Sequence, residues 1–154
     1  MKKLLALLLV AAMSISMVAC GGSASSSAAS SEAGSEAASS EAASSDVKIG
    51  VCIYQFADNF MTLYRNDIKA DLEALGYKEG TNFTIVDGAN DQAKQTEQID
   101  SFIAEGVDVL IVNLVQSTSA STIIEKAKAA DIPVVFINRE PTAEDLALYD
   151  KCCY

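Results

Sequence analysis

The sequence predicts an α/β fold in which a parallel sheet carries helices along its faces. Three observations carry that expectation. Short, nearly unbroken apolar runs recur at residues 47–54, 83–86, 107–114 and 134–137. Between them, apolar residues repeat at helical spacing. The joins are short and marked by Gly or Pro. Strands covered on both faces read as continuous apolar runs, and parallel neighbours need a crossover long enough to hold a helix.

The elements follow in order. Residues 47–54 form a first strand that empties into a polar and aromatic turn. From residue 59 to 75, Tyr64, Ile68, Leu72 and Leu75 mark one helical face, and Gly76 suits a left-handed cap. Residues 83–86 are a second strand. Asp91 offers an N-cap for a helix with Ile99, Phe102 and Ile103 on one face, closed by Gly106. Residues 107–114 are a third strand. The Ser/Thr cluster Ser117–Ser119 opens a third helix carrying Ile123, Ile124 and Ala127, and Asp131-Ile132-Pro133 breaks it. Residues 134–137 are the fourth strand. The order β-α-β-α-β-α-β implies right-handed crossovers.

Two segments precede this domain. Met1-Lys2-Lys3 is a basic start, and residues 4–12 are an apolar stretch too short to span a bilayer as a helix. Met17-Val18-Ala19-Cys20 resembles a bacterial lipobox, so residues 1–20 are expected to be a lipoprotein signal whose Cys20 becomes the acylated N-terminus. The alternative is an ordinary secretory signal with a bystander cysteine. Residues 21–46 are nearly all Ser, Ala, Glu and Gly, and cannot bury enough apolar surface to offset chain entropy. They are expected to be a disordered tether with a reach of roughly 25–30 Å. Residues 47–154 make one small domain.

Charge narrows the function. The formal net charge is −10; without Lys2 and Lys3, nine basic groups face 21 acidic ones, a balance of −12. That disfavours nucleic acid and anionic lipid surfaces and suits a neutral ligand. The chain has no His, the commonest general base and metal ligand.

In open α/β sheets, ligands bind outside the carboxyl ends of the strands. Those ends carry Asp58, Asn59 and Phe60; Asp87, Asn90 and Asp91; Asn113 and Gln116; and Asn138, Arg139 and Glu140. Asp91 is best explained as a helix cap. For Asp58 and Asn138, a cap or solvated loop residue and a ligand contact are both open. Phe60, an aromatic in a first helical turn beside a strand end, is costly to expose, yet could pack into the core.

A family resemblance bears on this. Ile49-Gly50-Val51, Tyr54 with Asp58-Asn59-Phe60-Met61, Asn90-Asp91-Gln92 with Lys94-Gln95, Gln98-Ile99-Asp100, Asn113-Leu114-Val115, Ile124-Glu125-Lys126-Ala127, and Pro133 to Phe136 with Asn138 and Glu140-Pro141 occur in order. Together, from about Lys48 onward, they resemble the N-terminal lobe of bacterial galactose/glucose-binding proteins, periplasmic-binding-protein-like sugar receptors. The resemblance implies a receptor that delivers a hexose (galactose or glucose) to an ABC permease and, in some bacteria, reports it to a chemoreceptor. It implies that Asp58 accepts from sugar hydroxyls, Asn138 donates and accepts, and Phe60 stacks on a pyranose face. Each role suits its chemistry. The implied location is extracytoplasmic, with Cys20 as the only membrane anchor.

Two departures from the family pattern are Ala57, where a second acidic residue is common, and Gln116-Ser117, in place of Asp-Pro. The family's second lobe, with its opposing aromatic and its calcium loop, has no counterpart before Tyr154. The chain is therefore expected to be a fragment, with a true truncation as the alternative, presenting half a site with no cofactor or metal of its own and binding sugar weakly or undetectably. Cys52 reads as a buried core residue. Cys152-Cys153 reads as a pair entering a strand rather than a zinc site or a strained vicinal disulfide.

Other classes compete. A Rossmann-type enzyme is disfavoured because no Gly-x-Gly-x-x-Gly follows the first strand. A sugar-responsive repressor would carry a DNA-binding motif where this chain carries a signal and a tether. A sister receptor for ribose or a quorum signal is disfavoured by Asp58-Asn59-Phe60.

Overall fold

The structure, a computed structural model, describes residues 46–154. The expected signal with Cys20, and the tether up to residue 45, lie outside the described residues.

Five parallel strands form one sheet in the order β2-β1-β3-β4-β5. The elements run β1 (Ile49–Ile53), α1 (Asn59–Ala74), β2 (Phe83–Asp87), α2 (Gln92–Glu105), β3 (Val109–Val112), a 3-10 turn (Ser117–Ser119), α3 (Ala120–Ala129), β4 (Val134–Phe136), α4 (Ala143–Leu146) and β5 (Cys152–Cys153). β1 lies between β2 and β3, with Val51 opposite both Ile85 and Ile111.

All five residues of β1 are buried because both sheet faces are covered. Side chains alternate across a strand. Ile49, Val51 and Ile53 therefore join Met61, Leu72 and Phe83 under α1, while Cys52 joins Ile99, Phe102, Val112, Ile124 and Phe136 under α2 and α3. That division explains the unbroken apolar run. Gly50 belongs there because a Cβ would stand 2.7 Å from ring atoms of Phe102. The Cys52 thiol is pushed up to about 11 by burial, which fits an inert core cysteine.

Cap chemistry ends the helices as anticipated at two points. Gly76 (φ 94) closes α1, donating to Glu73 O while Tyr77 N–H reaches Leu72 O. Gly106 (φ 70) closes α2, with Val107 N–H donating to Phe102 O. Both are left-handed terminations with crossed hydrogen bonds. Asp131 (φ 60) takes the same role after α3, and its carboxylate accepts from Lys151 Nζ at 2.7 Å and Tyr149 Oη at 3.3 Å.

Several expectations need correction. Leu75 is 52% exposed rather than facing the core, because it already lies in the terminating turn. The third strand is shorter than its apolar run: Val107, Leu114 and Val115 are buried in turns flanking β3, not in the ladder. Ser117–Ser119 does not cap α3 directly. It forms a 3-10 turn, and Ser119 makes no side-chain cap bond. α4 was not anticipated, although Thr142 and Asp145 form a reciprocal capping box at its start. Cys152-Cys153 does enter a strand, pairing in parallel with Val134 and Val135.

No helix among the described residues is long and apolar enough to cross a membrane.

Candidate functional site

With the order 2-1-3-4-5, the chain steps from β1 to β2 on one side and then returns from β2 to β3 on the other side of β1. The β1/β3 boundary is therefore the topological switch point, beside which ligands bind in open α/β sheets. Tyr54 stands at the exit of β1, and Asn113 at the exit of β3.

Asn113 holds that boundary together. It is fully buried. Its Oδ1 accepts from Tyr54 N–H at 3.2 Å, and its Nδ2 donates to Ile137 O at 3.1 Å. One carboxamide thus ties the exits of β1, β3 and β4. Gln95, equally buried, secures the next turn: Nε2 donates to Asn113 O and Oε1 accepts from Val115 N–H, both at 2.9 Å. Gln92 and Gln98 continue that face of α2, Gln92 accepting from Gln116 N–H and Ser119 Oγ, Gln98 donating to Asp87 O. Buried polar groups are tolerated when satisfied in this way.

Asp58 is the N-cap of α1. Its Oδ1 accepts from Met61 N–H at 2.9 Å, and its Oδ2 accepts from Tyr54 Oη at 2.8 Å. These donors, the Met61 amide foremost, hold its carboxyl below the usual carboxylate range. The same bond raises the Tyr54 hydroxyl. Each carboxylate oxygen offers two acceptor sites, so with Met61, Tyr54 and Phe60 as donors the carboxylate still keeps room for a further one. The cap role and a ligand role are compatible.

Phe60 follows in the first turn of α1. It is 61% exposed and does not pack into the core. It stacks on Tyr64 with centroids 5.9 Å apart and planes 12° apart, which orients the ring and leaves its other surface to solvent. Asn138 is exposed at the exit of β4 with φ 62. Asn tolerates the left-handed region, but such backbone concentrates at functional sites. Its carboxamide makes no hydrogen bond to any described residue.

Arg139 completes the rim. Its guanidinium lies 4.1 Å from the Tyr54 ring centroid, and Nη1 donates to the carbonyls of Leu114 and Val115.

The other strand-end candidates sort differently. Asp87 Oδ1 accepts from Phe56 N–H and Ala89 N–H, binding two loops together. Asp91 caps α2 through Ala93 and Lys94. Asn59, Asn90, Gln116 and Glu140 are exposed loop or first-turn residues. Sequence reasoning gave no role to Tyr54, Arg139 or Gln95. Tyr54 stands four residues before Asp58, and Gln92, Gln95 and Gln98 recur every third residue on a face expected to be apolar; that spacing was the available signal. A cavity of about 290 Å³ lies at the opposite end of the strands, lined by residues that include Lys48, Asn82, Phe102 and Glu105. Among the described residues no group of three His, Cys, Asp or Glu could hold a metal ion.

Comparison with known proteins agrees with this architecture. Over 109 residues, 71% of the chain, it is 40% identical to the D-galactose/methyl-galactoside binding periplasmic protein MglB of Haemophilus influenzae, covering 32% of that protein. Over 72 residues, 47% of the chain, it is 40% identical to the ribose import binding protein RbsB of Bacillus subtilis, covering 24% of it. A solute binding protein of an ABC transporter from Bacillus halodurans, solved with bound myo-inositol, superposes with a TM-score of 0.59 at 31% identity, over 68% of this chain and 35% of that one. The chain thus spans a third or less of the length of these curated relatives, which are binding proteins. Residues 49–150 match the family described as periplasmic binding protein domain, and the chain belongs to that family.

Proposed function

We propose that this chain is the N-terminal lobe of an extracytoplasmic sugar receptor that serves an ABC importer, with a hexose such as galactose or glucose as ligand. The observation that carries the reading is Asp58. Its carboxylate is fixed at the exit of β1 by Met61 N–H and Tyr54 Oη, it keeps acceptor capacity for a further donor, and it stands in the same turn as the exposed Phe60 ring. Vicinal hydroxyls suit a carboxylate, the apolar C–H face of a pyranose suits an aromatic ring, and the uncommitted Asn138 amide suits a hydroxyl that both donates and accepts. The support for a hexose is the longer match to the galactose-binding relative, 109 residues against 72 for the ribose-binding one at the same 40% identity.

The role is capture and delivery, not catalysis. Cys20 is proposed to carry a lipid anchor that keeps the lobe on the outer side of the cytoplasmic membrane. The permease, and in some settings a chemoreceptor, are the proposed protein partners.

The described residues supply one side of a site, so affinity is expected on the order of millimolar, about −4 kcal/mol. Saturation-transfer NMR of the 154-residue chain with galactose, glucose and ribose tests this. Galactose and glucose should receive magnetisation, most strongly at their C–H faces, and Asp58→Ala and Phe60→Ala should abolish it. Unchanged transfer in both variants would overturn the site. Preferential transfer to ribose would overturn the hexose assignment. Calorimetry giving micromolar or tighter binding would overturn the half-site.

A further inference from the structure

We infer that Tyr54 and Arg139 form a brace that fixes the plane of the Asp58 carboxylate relative to Asn138, making Tyr54 a positioning residue of the site. The inference rests on the reading of Asp58 and Asn138 as sugar contacts.

An N-capping aspartate is anchored through one oxygen. Rotation about its terminal sp³–sp² torsion is soft, so a bond to Met61 N–H alone leaves the second oxygen free to swing. The bond from Tyr54 Oη to Oδ2 at 2.8 Å removes that freedom. Gln55 Nε2 approaches the same hydroxyl as a donor at 3.4 Å, so the tyrosine proton is committed to Asp58.

Tyr54 is itself held from three other strand exits. Its N–H donates to Asn113 after β3, and its carbonyl accepts from Asn90 N–H after β2 at 2.7 Å. Its ring lies under Arg139, the neighbour of Asn138 after β4. Arg139 is in turn pinned by the carbonyls of Leu114 and Val115. A guanidinium over a tyrosine face is attractive, and its planar fork holds both contacts at once. The two hydroxyl-binding groups are thus linked by Asp58–Tyr54–Arg139–Asn138, a path of one hydrogen bond, one stacked contact and one peptide unit. Fixing a polar group before the ligand arrives lowers the ordering cost of binding.

The groups that act on the Asp58 charge are the Met61 amide, the Tyr54 hydroxyl, the Phe60 amide and the Arg139 cation. Tyr54→Phe removes one of them and leaves the ring beneath Arg139.

The test uses the 154-residue chain with its carboxyl carbons labelled, read by NMR titration of Asp58 Cγ. In Tyr54→Phe the Asp58 midpoint should move up, the Met61 amide should keep its capped position, and galactose affinity should fall about 5- to 10-fold. Arg139→Gln should move the midpoint the same way while keeping the tyrosine bond, and it carries the test if Tyr54→Phe fails to fold. An Asp58 titration unchanged in both variants overturns the brace, even if sugar binds. A shifted titration in a chain that binds no sugar supports the brace and overturns the sugar reading instead.

Discussion

Asn113→Asp separates the hydrogen-bonded frame of the site from its packing. The side chain keeps its volume, so no cavity forms. Asn113 is 0% exposed, accepts from Tyr54 N–H and donates to Ile137 O. A carboxylate keeps the first bond and turns the second into a contact between two acceptors. A proton on the carboxyl restores the donor, so burial and the Ile137 carbonyl both favour the neutral form. Fully buried carboxyls rise by up to 3–5 units. A rise of about 2.5 units, at about 1.36 kcal/mol per unit, gives a penalty of ~3.4 kcal/mol at pH 7. That is a large share of a typical domain stability of about 5–15 kcal/mol.

The sign follows from linkage. The folded value lies above the unfolded one, so the penalty is absent below the unfolded value of about 3.9 and grows until pH passes the folded value. At pH 5 it should be ~1.5 kcal/mol. Urea unfolding followed by far-UV circular dichroism, with the unmodified chain as reference at each pH, measures the difference. A penalty equal at pH 5 and pH 7, or below about 0.5 kcal/mol at both, would refute the role given to the Asn113 amide.

Further outcomes are expected. Gly50→Ala places a Cβ 2.7 Å from Phe102 Cγ and Cδ2; overpacking costs about 1–3 kcal/mol, against about 0.4–1 kcal/mol gained from a stiffer unfolded chain. Thermal unfolding should therefore show a net loss, relieved when Phe102→Leu is added, and a raised melting temperature would contradict the contact. Phe60→Ala should change stability by less than about 0.5 kcal/mol, since the ring is 61% exposed, while abolishing saturation transfer to galactose. A large loss of stability would show the ring to be structural. Asp58 has a folded carboxyl held low, so the stability it contributes is present above the ordinary carboxylate range and is lost as pH falls through its folded value. The stability gap between the chain and Asp58→Asn should accordingly close on acidification, and a pH-independent gap would count against the Met61 and Tyr54 bonds.

Much of the fold was legible in local chemistry. Asp91, Gly76 and Gly106 marked helix ends because capping is decided within a few residues. The apolar runs located β1 to β4, but their lengths overshot where buried turns continued them, as at Val107 and Leu114. Hydrophobicity reports burial, and a buried turn is as apolar as a buried strand. α4 escaped notice because four residues show no periodicity; only its capping box could have announced it.

The candidate site divides along the same line. The candidate contacts Asp58, Phe60 and Asn138 were recognisable as strand-end chemistry before any fold was known. Which of their neighbours were spoken for was not. Asp87 and Asn113 looked as available as Asp58, yet the first closes two loops and the second is sealed inside the sheet.

By itself, the sequence determined the alternation of strands and helices, the edge of the sheet where polar groups gather, and the acidic character that suits a neutral ligand. Those properties depend on periodicity, cap chemistry and composition, all local or additive. Only the tertiary structure decided the order 2-1-3-4-5 and the switch point at Tyr54 and Asn113. It also decided the brace that orients Asp58. The reason is physical: whether a buried donor or acceptor is satisfied depends on partners such as Tyr54 and Asn113, which stand 59 residues apart, and only chain folding brings them within hydrogen-bond range.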